Sequence, residues 1–448
     1  MKKEHDVIDV MQPKLYKDLF PYKNFPQNQW NKLKMPIDLP EEIWITDTTF
    51  RDGQQSMESF TVDQIVEIYK LLNKIDNGNG IIRQSEFFLY SDRDREAVKK
   101  CQELGYEFPE ITGWIRAKEE DLKIAKKMGI KETGILMSCS DYHIFHKLNM
   151  DRSSVYNMYV NIIEKALEEG IKPRCHLEDL TRADIFDFVI PLVSKINELG
   201  QNAGVDIKFR LCDTLGLGKP FNGMEIPRSV PGLIYYIKNS CDLKASQLEW
   251  HGHNDYHYCT ANSTASWLYG SSSVNTTLLG VGERTGNCPT ESMLVEYCQL
   301  KEPKKEIQFK ALNEVVDFFE KEFDYKIHSK TPFLGEDFNA TRAGIHADGL
   351  MKNEEVYNSF DSKKIFDKKI KIVVNQYSGN AGISGWINLK YGLEGDSKIT
   401  KNNPAVKLIK NEVDKEYGKG RNTAISDKEM ENLTKQYFKE IDGLTKAN

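Results

Sequence analysis

What this chain lacks narrows its function before any motif is read. Its eight cysteines, Cys101, Cys139, Cys175, Cys212, Cys241, Cys259, Cys288 and Cys298, form no CxxC pair. That excludes zinc ribbons and thioredoxin-type redox sites, and a chain of 448 residues needs no disulfide scaffold. Buried packing thiols in a reducing cytoplasm are the expected reading. No apolar run approaches the roughly 18 residues of a membrane span. The stretch from Met1 to Tyr16 is charged, without the apolar core of a secretory leader. Basic residues do not dominate: 61 Lys and Arg stand against 67 Asp and Glu, for a net charge of −6. Neither a nucleic acid nor an anionic membrane is therefore an expected partner. A dinucleotide fingerprint is missing too, because Gly280-Val281-Gly282-Glu283-Arg284 runs into Thr285 where GxGxxG needs its third glycine.

The remaining composition is that of an ordinary globular protein with a packed core. Residues 1–41 are polar and punctuated by Pro13, Pro21, Pro26, Pro36 and Pro40, the pattern of an extended arm lying on a surface. From Ile43 short β-branched runs alternate with longer amphipathic ones. Strands are predicted at Ile43–Asp47, Gln84–Leu89, Ile111–Ile115, Thr133–Met137, Lys172–Leu177, Ile207–Cys212, Gln247–His251 and Val274–Leu279. Helical periodicity lies between them, at Val62–Lys74, Glu119–Met128, Ser153–Glu169 and Ile185–Leu199. Eight such β/α units predict an α/β fold, a closed (β/α)8 barrel over residues 42–300, with a doubly wound open sheet as the alternative. After a charged linker at Lys301–Glu306, residues 301–448 form a smaller, mostly helical C-terminal region. Its helices are predicted near Phe309–Phe323, Val406–Tyr417 and Lys428–Ile441, and a glycine-rich stretch runs from Gly335 to Gly349.

Polar residues gather at the C-terminal ends of the strands, where a barrel carries its active site. Strand one runs into Asp47-Thr-Thr-Phe-Arg51-Asp52-Gly53-Gln54-Gln55, and strand seven into His251-Gly252-His253-Asn254-Asp255. In extended chain, residues i and i+2 share a face, so His251 and His253 can offer two imidazoles to one ion. Alone, HxH is commonly a polar strand end. With Asp52 on the matching rim it predicts a divalent first-row metal site with open positions, to which Asn287 can add an oxygen. The glycine-rich turn beside it, Gly280, Gly282, Glu283 and Arg284, could admit an extended ligand.

DTTFRDGQQ, HGHND and GVGERTGN, in this order, resemble the isopropylmalate, homocitrate and citramalate synthases, relatives of 3-hydroxy-3-methylglutaryl-CoA lyase. The similarity spans residues 43 to about 390. It includes His176-Leu-Glu178-Asp179-Leu-Thr181-Arg182, Cys212-Asp213-Thr214-Leu215-Gly216, Arg342-Ala-Gly-Ile-His346-Ala-Asp348-Gly349, Tyr357 and Tyr377-Ser378-Gly379. Gln54 departs from the pattern, standing where many relatives have an acid. The last segments look like the family's small subdomain, which the lyases lack, so the resemblance implies synthesis. It implies a Claisen-type condensation of acetyl-CoA with a metal-chelated 2-oxo acid, aided by Mn²⁺, Co²⁺ or Mg²⁺, in a cytoplasmic homodimer with shared sites.

Arg51, beside the ligand Asp52, is placed to stabilise the developing oxyanion. Candidates for taking the methyl proton of acetyl-CoA are His346 and Glu178, with Tyr357 assisting; the resemblance favours His346 from a partner chain. A surface histidine is the plain alternative for His346, and a salt bridge to Arg182 for Glu178. The resemblance further puts Thr214, Gln55 and Arg116 on the substrate side, Arg116 against a distal carboxylate, with the 280–284 loop toward CoA. The long arm and polar strand-two end, Tyr90-Ser91-Asp92-Arg93, are most similar to the Re-type citrate synthases. Oxaloacetate is thus the first-choice substrate, 2-oxoglutarate (homocitrate synthesis) the second, and 2-isopropylmalate or citramalate synthesis the third. A metal- and ligand-binding sensor without turnover is the reading from another class. Intact Arg51, Asp52, Glu178, His251, His253 and His346 argue against it.

Overall fold

The computed structural model describes residues 6–438, in two compact units that divide between Asp324 and Tyr325. The first unit contains eight parallel strands. They are β1 (Trp44–Asp47), β2 (Ile82–Phe88), β3 (Glu110–Arg116), β4 (Glu132–Ser138), β5 (Lys172–Glu178), β6 (Lys208–Asp213), β7 (Leu248–Gly252) and β8 (Ser273–Thr276). Each pairs with the next, and β8 pairs with β1 through Asp47 and Thr276, closing the barrel that the sequence rhythm predicts. Outside lie α1 (Val62–Asp76), α2 (Asp92–Glu103), α3 (Glu119–Lys127), α4 (Asp141–His146), α5 (Arg152–Glu168), α6 (Ile190–Ala203), α7 (Val230–Ser240), α8 (Cys259–Leu268), α9 (Thr290–Leu300) and α10 (Ala311–Phe323). The first helix shows the logic. Thr61 and Gln64 close a capping box at its start, and Ile65, Ile68, Leu72 and Ile75 bury one face.

The barrel interior differs from the branched apolar layers usual for this architecture. Apolar residues such as Phe87, Ile115, Ile135, Cys175, Phe209 and Trp250 are buried on one strand face. The alternate residues are ionic and bond across the barrel. Glu86 receives Arg51 Nε at 3.0 Å and Arg210 Nη1 at 2.8 Å on one oxygen, and lies 3.4 Å from Arg174 Nη1 and 3.3 Å from His176 Nε2 on the other. Glu132 binds Arg174 and Lys208, and Glu249 binds Arg210. Gly134 leaves the room this network needs: a β-carbon there would sit 2.5 Å from His176 Nε2 and 2.9 Å from Glu86 Oε2.

The division between units falls later than the linker at Lys301–Glu306 suggests. Helix α10 stays with the barrel, because Phe60 packs on Phe323 with ring centroids 4.6 Å apart and Lys74 bonds Glu314 at 2.6 Å. The second unit is mostly helical: α11 (Gly344–Lys352), α12 (Ser362–Phe366), α13 (Gly379–Tyr391), α14 (Pro404–Gly418) and α15 (Asp427–Tyr437), with a two-stranded parallel pair β9 (Ala340–Thr341) and β10 (Lys371–Ile372). Its core joins Ile383, Trp386, Ile387, Val406, Ile409, Val413 and Met430. The expected helix ending at Ile441 is present to Tyr437; residues 439–441 lie outside the described residues, as do residues 1–5 of the arm.

The described part of the arm is extended and strapped to the barrel. Arg152, fully buried on α5, bonds Asp141 and Asp184 and donates to the carbonyl of Ile8 at 3.1 Å. Lys14 reaches Asp184 and Asp187, Arg228 donates to the Gln27 carbonyl, and Asp38 pairs with Lys238. Arg152→Ala strands two buried carboxylates, a change that typically costs about 3–5 kcal/mol. The expected outcome is a lower urea midpoint and faster proteolytic nicking between Ile8 and Tyr16, measured side by side with wild type.

Candidate metal centre and active site

The chain leaves β1 through a buried turn of π-helix, Thr49–Gly53, which carries Arg51 and Asp52 to the barrel mouth. His251 is the penultimate residue of β7, and His253 follows the strand directly. Donor atoms of Asp52, His251 and His253 all lie within 4.8 Å of one another, and all three side chains are buried. Asp52 Oδ2 accepts from Asn287 Nδ2 at 2.8 Å and lies 3.4 Å from His251 Nε2. Asn287 arrives by backbone pairing with His253, so the β7 end and the β8 loop are zipped together at the ligands. Gly282 makes the loop possible: a β-carbon there would be 2.1 Å from Asn287 Oδ1.

Two buried polar atoms here have no hydrogen-bond partner among the described residues, His253 Nδ1 and Asn287 Oδ1. Buried polar atoms are almost always paired, so this cluster is built for a further species. Its two imidazoles, one carboxylate and one amide oxygen match a divalent transition ion. A residue the sequence reasoning missed sets the tautomer. Asn275 on β8 donates from Nδ2 to the Thr46 carbonyl, which turns its Oδ1 toward His251 Nδ1 at 2.8 Å. The Nδ1 proton is thereby fixed and the Nε2 lone pair faces Asp52.

Electrostatics prepare the same state. Burial holds His251 down to about 3 and also lowers His253, against the pull of Asp52. Burial alone would raise Asp52, but Arg51 and the two imidazoles prevail and hold its carboxyl well below the usual range. Arg51 gives Nη1 to Asp52 and Nε to Glu86, and its Nη2 has no hydrogen-bond partner among the described residues. One donor of a rigid guanidinium is thus left at the mouth, beside the candidate ligands.

Glu178 ends β5, and Arg182 does not pair with it: Arg182 binds Asp179 at 2.9 to 3.1 Å instead. Glu178 is held by Lys147 Nζ at 2.7 and 2.9 Å and by Ser138, with His143 Nδ1 at 3.1 Å. Burial would raise its pKa, yet His143, Lys147 and Ser138 bring it down to about 2. So low a value makes it a weak proton acceptor and suits a fixed anion. His143 and Lys147 lie four residues apart on and after α4, a spacing the sequence displays but one equally common on solvated helices.

Arg116 is not brought to this cluster. Its side chain is 53% exposed, and its Nε and Nη2 bond Asp121 in the first turn of α3 at 2.9 and 3.0 Å. The helix start follows the strand end so closely that its acid captures the guanidinium. Gln55 is exposed, whereas Gln54 is buried and bonds the backbone of Phe50 and Phe60, a structural use. Thr214 accepts the Asp179 amide at 2.8 Å. In the 280–284 loop, Gly280 and Arg284 have left-handed backbone, and Arg284 pairs with Asp255 and donates to the Thr214 carbonyl; Glu283 is exposed. In the second unit, His346 is exposed with its ring 4.6 Å from that of Tyr357, the pairing the sequence suggests.

A closed β/α barrel with a metal-ready carboxylate–histidine cluster at its mouth is the class of molecule these features define. Comparison with known proteins narrows it. Residues 42–318 match the HMGL-like family model, and the chain belongs to the HMGL-like family. It is 51% identical to Citrate (Re)-synthase of Clostridium kluyveri over 98% of this chain and 97% of that one. It is 48% identical to Citrate (Re)-synthase of Syntrophus aciditrophicus, over 97% of this chain and 69% of that one. A 2-phosphinomethylmalate synthase of Streptomyces hygroscopicus is 36% identical over 98% and 99% of the two chains. Among solved structures, the HMG-CoA lyase of Pseudomonas aeruginosa superposes with a TM-score of 0.51 at 19% identity, covering 64% of this chain and 95% of its own, a likeness of fold.

Two measurements test the centre. Asn275→Ala frees the His251 ring, and loss of such an outer partner typically weakens metal binding about 10–100-fold; calorimetric titration with Mn²⁺ reads it. Two ordinary histidines at pH 6 would release about 1.5 protons on metal binding. With burial holding His251 down to about 3 and lowering His253 as well, the release found by titrating in buffers of different ionisation enthalpy is expected to fall clearly short of that.

Proposed function

We propose that this chain condenses acetyl-CoA with oxaloacetate and water to give citrate and free CoA, by attack on the Re face of the keto group. The observation that carries the reading is the 51% identity to a Citrate (Re)-synthase across nearly the whole of both chains.

Asp52, His251, His253 and Asn287 would hold the divalent ion, Mn²⁺, Co²⁺ or Mg²⁺, which when bound supplies Lewis-acid polarisation of the keto carbonyl. Arg51 offers its free Nη2 to the oxygen that gains charge, from a side chain fixed by Asp52 and Glu86. Thr214, after β6, flanks the substrate carboxylate, and the exposed Gln55, after the turn that carries Arg51, serves the same substrate. Glu178, ionised and anchored by Lys147, sets the field at the β5 rim. His346, assisted by Tyr357, takes the methyl proton of the acetyl group; the carbanion so formed attacks the keto carbon, and water then cleaves the thioester. The 280–284 loop lies on the CoA side. His346 serves the barrel of a partner chain in a homodimer, and the enzyme works in the cytoplasm. Seven of the eight cysteines are buried and all are free, and among the described residues no helix is long and apolar enough to cross a membrane.

Free CoA release, followed with a thiol reagent against a panel of 2-oxo acids, is expected to be fastest with oxaloacetate and to stop on chelation. A preference for 2-oxoisovalerate or 2-oxoglutarate would overturn the assignment. Citrate made from labelled acetyl-CoA and cleaved by a lyase of Si stereochemistry is expected to leave the label in oxaloacetate, not acetate. Mixing inactive His346→Ala and Asp52→Ala chains is expected to restore part of the activity, once subunit exchange is confirmed by mass labelling.

A further inference from the structure

The arm segment Lys17–Pro26, Tyr142 on α4 and the loops after β5, β6 and β7 line an open cavity of about 710 Å³, within the size range of small-ligand sites. It adjoins the proposed reaction site. Leu215, next to Thr214, lines it, and so does Asp255, two residues after His253. Its charge is one-sided. Lys17 and Lys23 come from the arm and Arg182 from the β5 loop, while its one acid, Asp255, is already bound to Arg284 at 2.8 and 3.2 Å. Neither Lys17 nor Lys23 has an ion-pair partner among the described residues; Lys17 Nζ lies 4.9 Å over the Tyr142 ring. Arg182 lies 4.0 Å over that ring and keeps Nη1 clear of Asp179. Beside these cations the arm exposes two aromatic rings, Tyr22 at 95% and Phe25 at 77%.

Unpaired ammonium groups, a guanidinium and bare rings around one concavity are the chemistry that receives phosphates and a stacked base. We infer that this cavity binds the phosphate-bearing nucleoside end of the acyl carrier. Lys17, Lys23 and Arg182 face its phosphates, and Tyr22, Phe25 and Tyr256 offer surfaces for the base. The arm is then a wall of the substrate site as well as a strap. This inference rests on the reading of acetyl-CoA as a substrate, and a free nucleotide shares the same chemistry.

The test titrates the full chain, loaded with Mn²⁺, with adenosine 3′,5′-bisphosphate and separately with ATP, following heat. The bisphosphate is expected to bind and to be displaced by acetyl-CoA. Loss of two charge-assisted contacts should weaken it by at least about tenfold in Lys17→Glu/Lys23→Glu, and Tyr22→Ala/Phe25→Ala should weaken it as well. All four side chains are exposed, so folding is not at stake. Lys32→Glu/Lys34→Glu makes the same charge change on the arm outside the cavity and is expected to bind like wild type. Equal binding by the Lys17/Lys23 variant, no binding by wild type, or ATP binding that acetyl-CoA does not displace each overturns the proposal. Binding that depends on Lys17 and Lys23 and yields to acetyl-CoA, in a protein that releases no CoA with any 2-oxo acid, upholds the cavity and overturns the condensation reading.

Discussion

Glu86 is the charge on which the barrel mouth depends. Burying a lone carboxylate is expensive, and only close cations with good geometry offset it. Here Arg210, His176 and Arg51 hold Glu86 ionised against its own burial. Four carboxylates (Glu86, Glu132, Glu249, Asp52) face four cations (Arg51, Arg174, Arg210, Lys208) inside one barrel. Counted so, the ion pairs balance, four charges against four. From Glu86 the order passes outward: it fixes Arg51, Arg51 fixes Asp52, and Asp52 sits against His251.

That arrangement separates two tasks in one small volume. Arg51 spends two of its nitrogens on holding position, and the third has no hydrogen-bond partner among the described residues. His251 is oriented by an amide, Asn275, whose own direction is set by a backbone carbonyl. Side chains held this way lose little freedom when substrate binds, which is how a site stays complementary to developing charge. Glu178 follows the same rule at the β5 end of the same rim, with three partners around one carboxylate.

Much of this was legible in the chain. Period-two and period-3.6 runs located all eight strands within about two residues at most ends, and HxH with Asp52 located the ligand cluster. The ionic interior was not legible. Arg174, Arg210 and Glu249 interrupt apolar runs, and a linear reading treats them as solvent-facing because their partners lie on strands far away in sequence. Asn275 escaped for the same reason: one amide in a strand says nothing until the neighbouring histidine is placed. Arg116 is a case of its own: its place at a strand end is plain in the sequence, and only the structure shows Asp121, five residues on, bonded to its guanidinium.

The arm has a consequence for the order of assembly. Lys14 meets Asp141 and Asp184, and Gln27 meets Arg228, so its anchors are 127 to 201 residues downstream. The arm is synthesised long before the surfaces that receive it exist, and contacts of such sequence separation are slow to form. It can only dock on a barrel whose β4–β7 half has already formed. An arm that also walls the substrate cavity therefore couples competence to completion: a half-folded barrel has no finished place for its substrate.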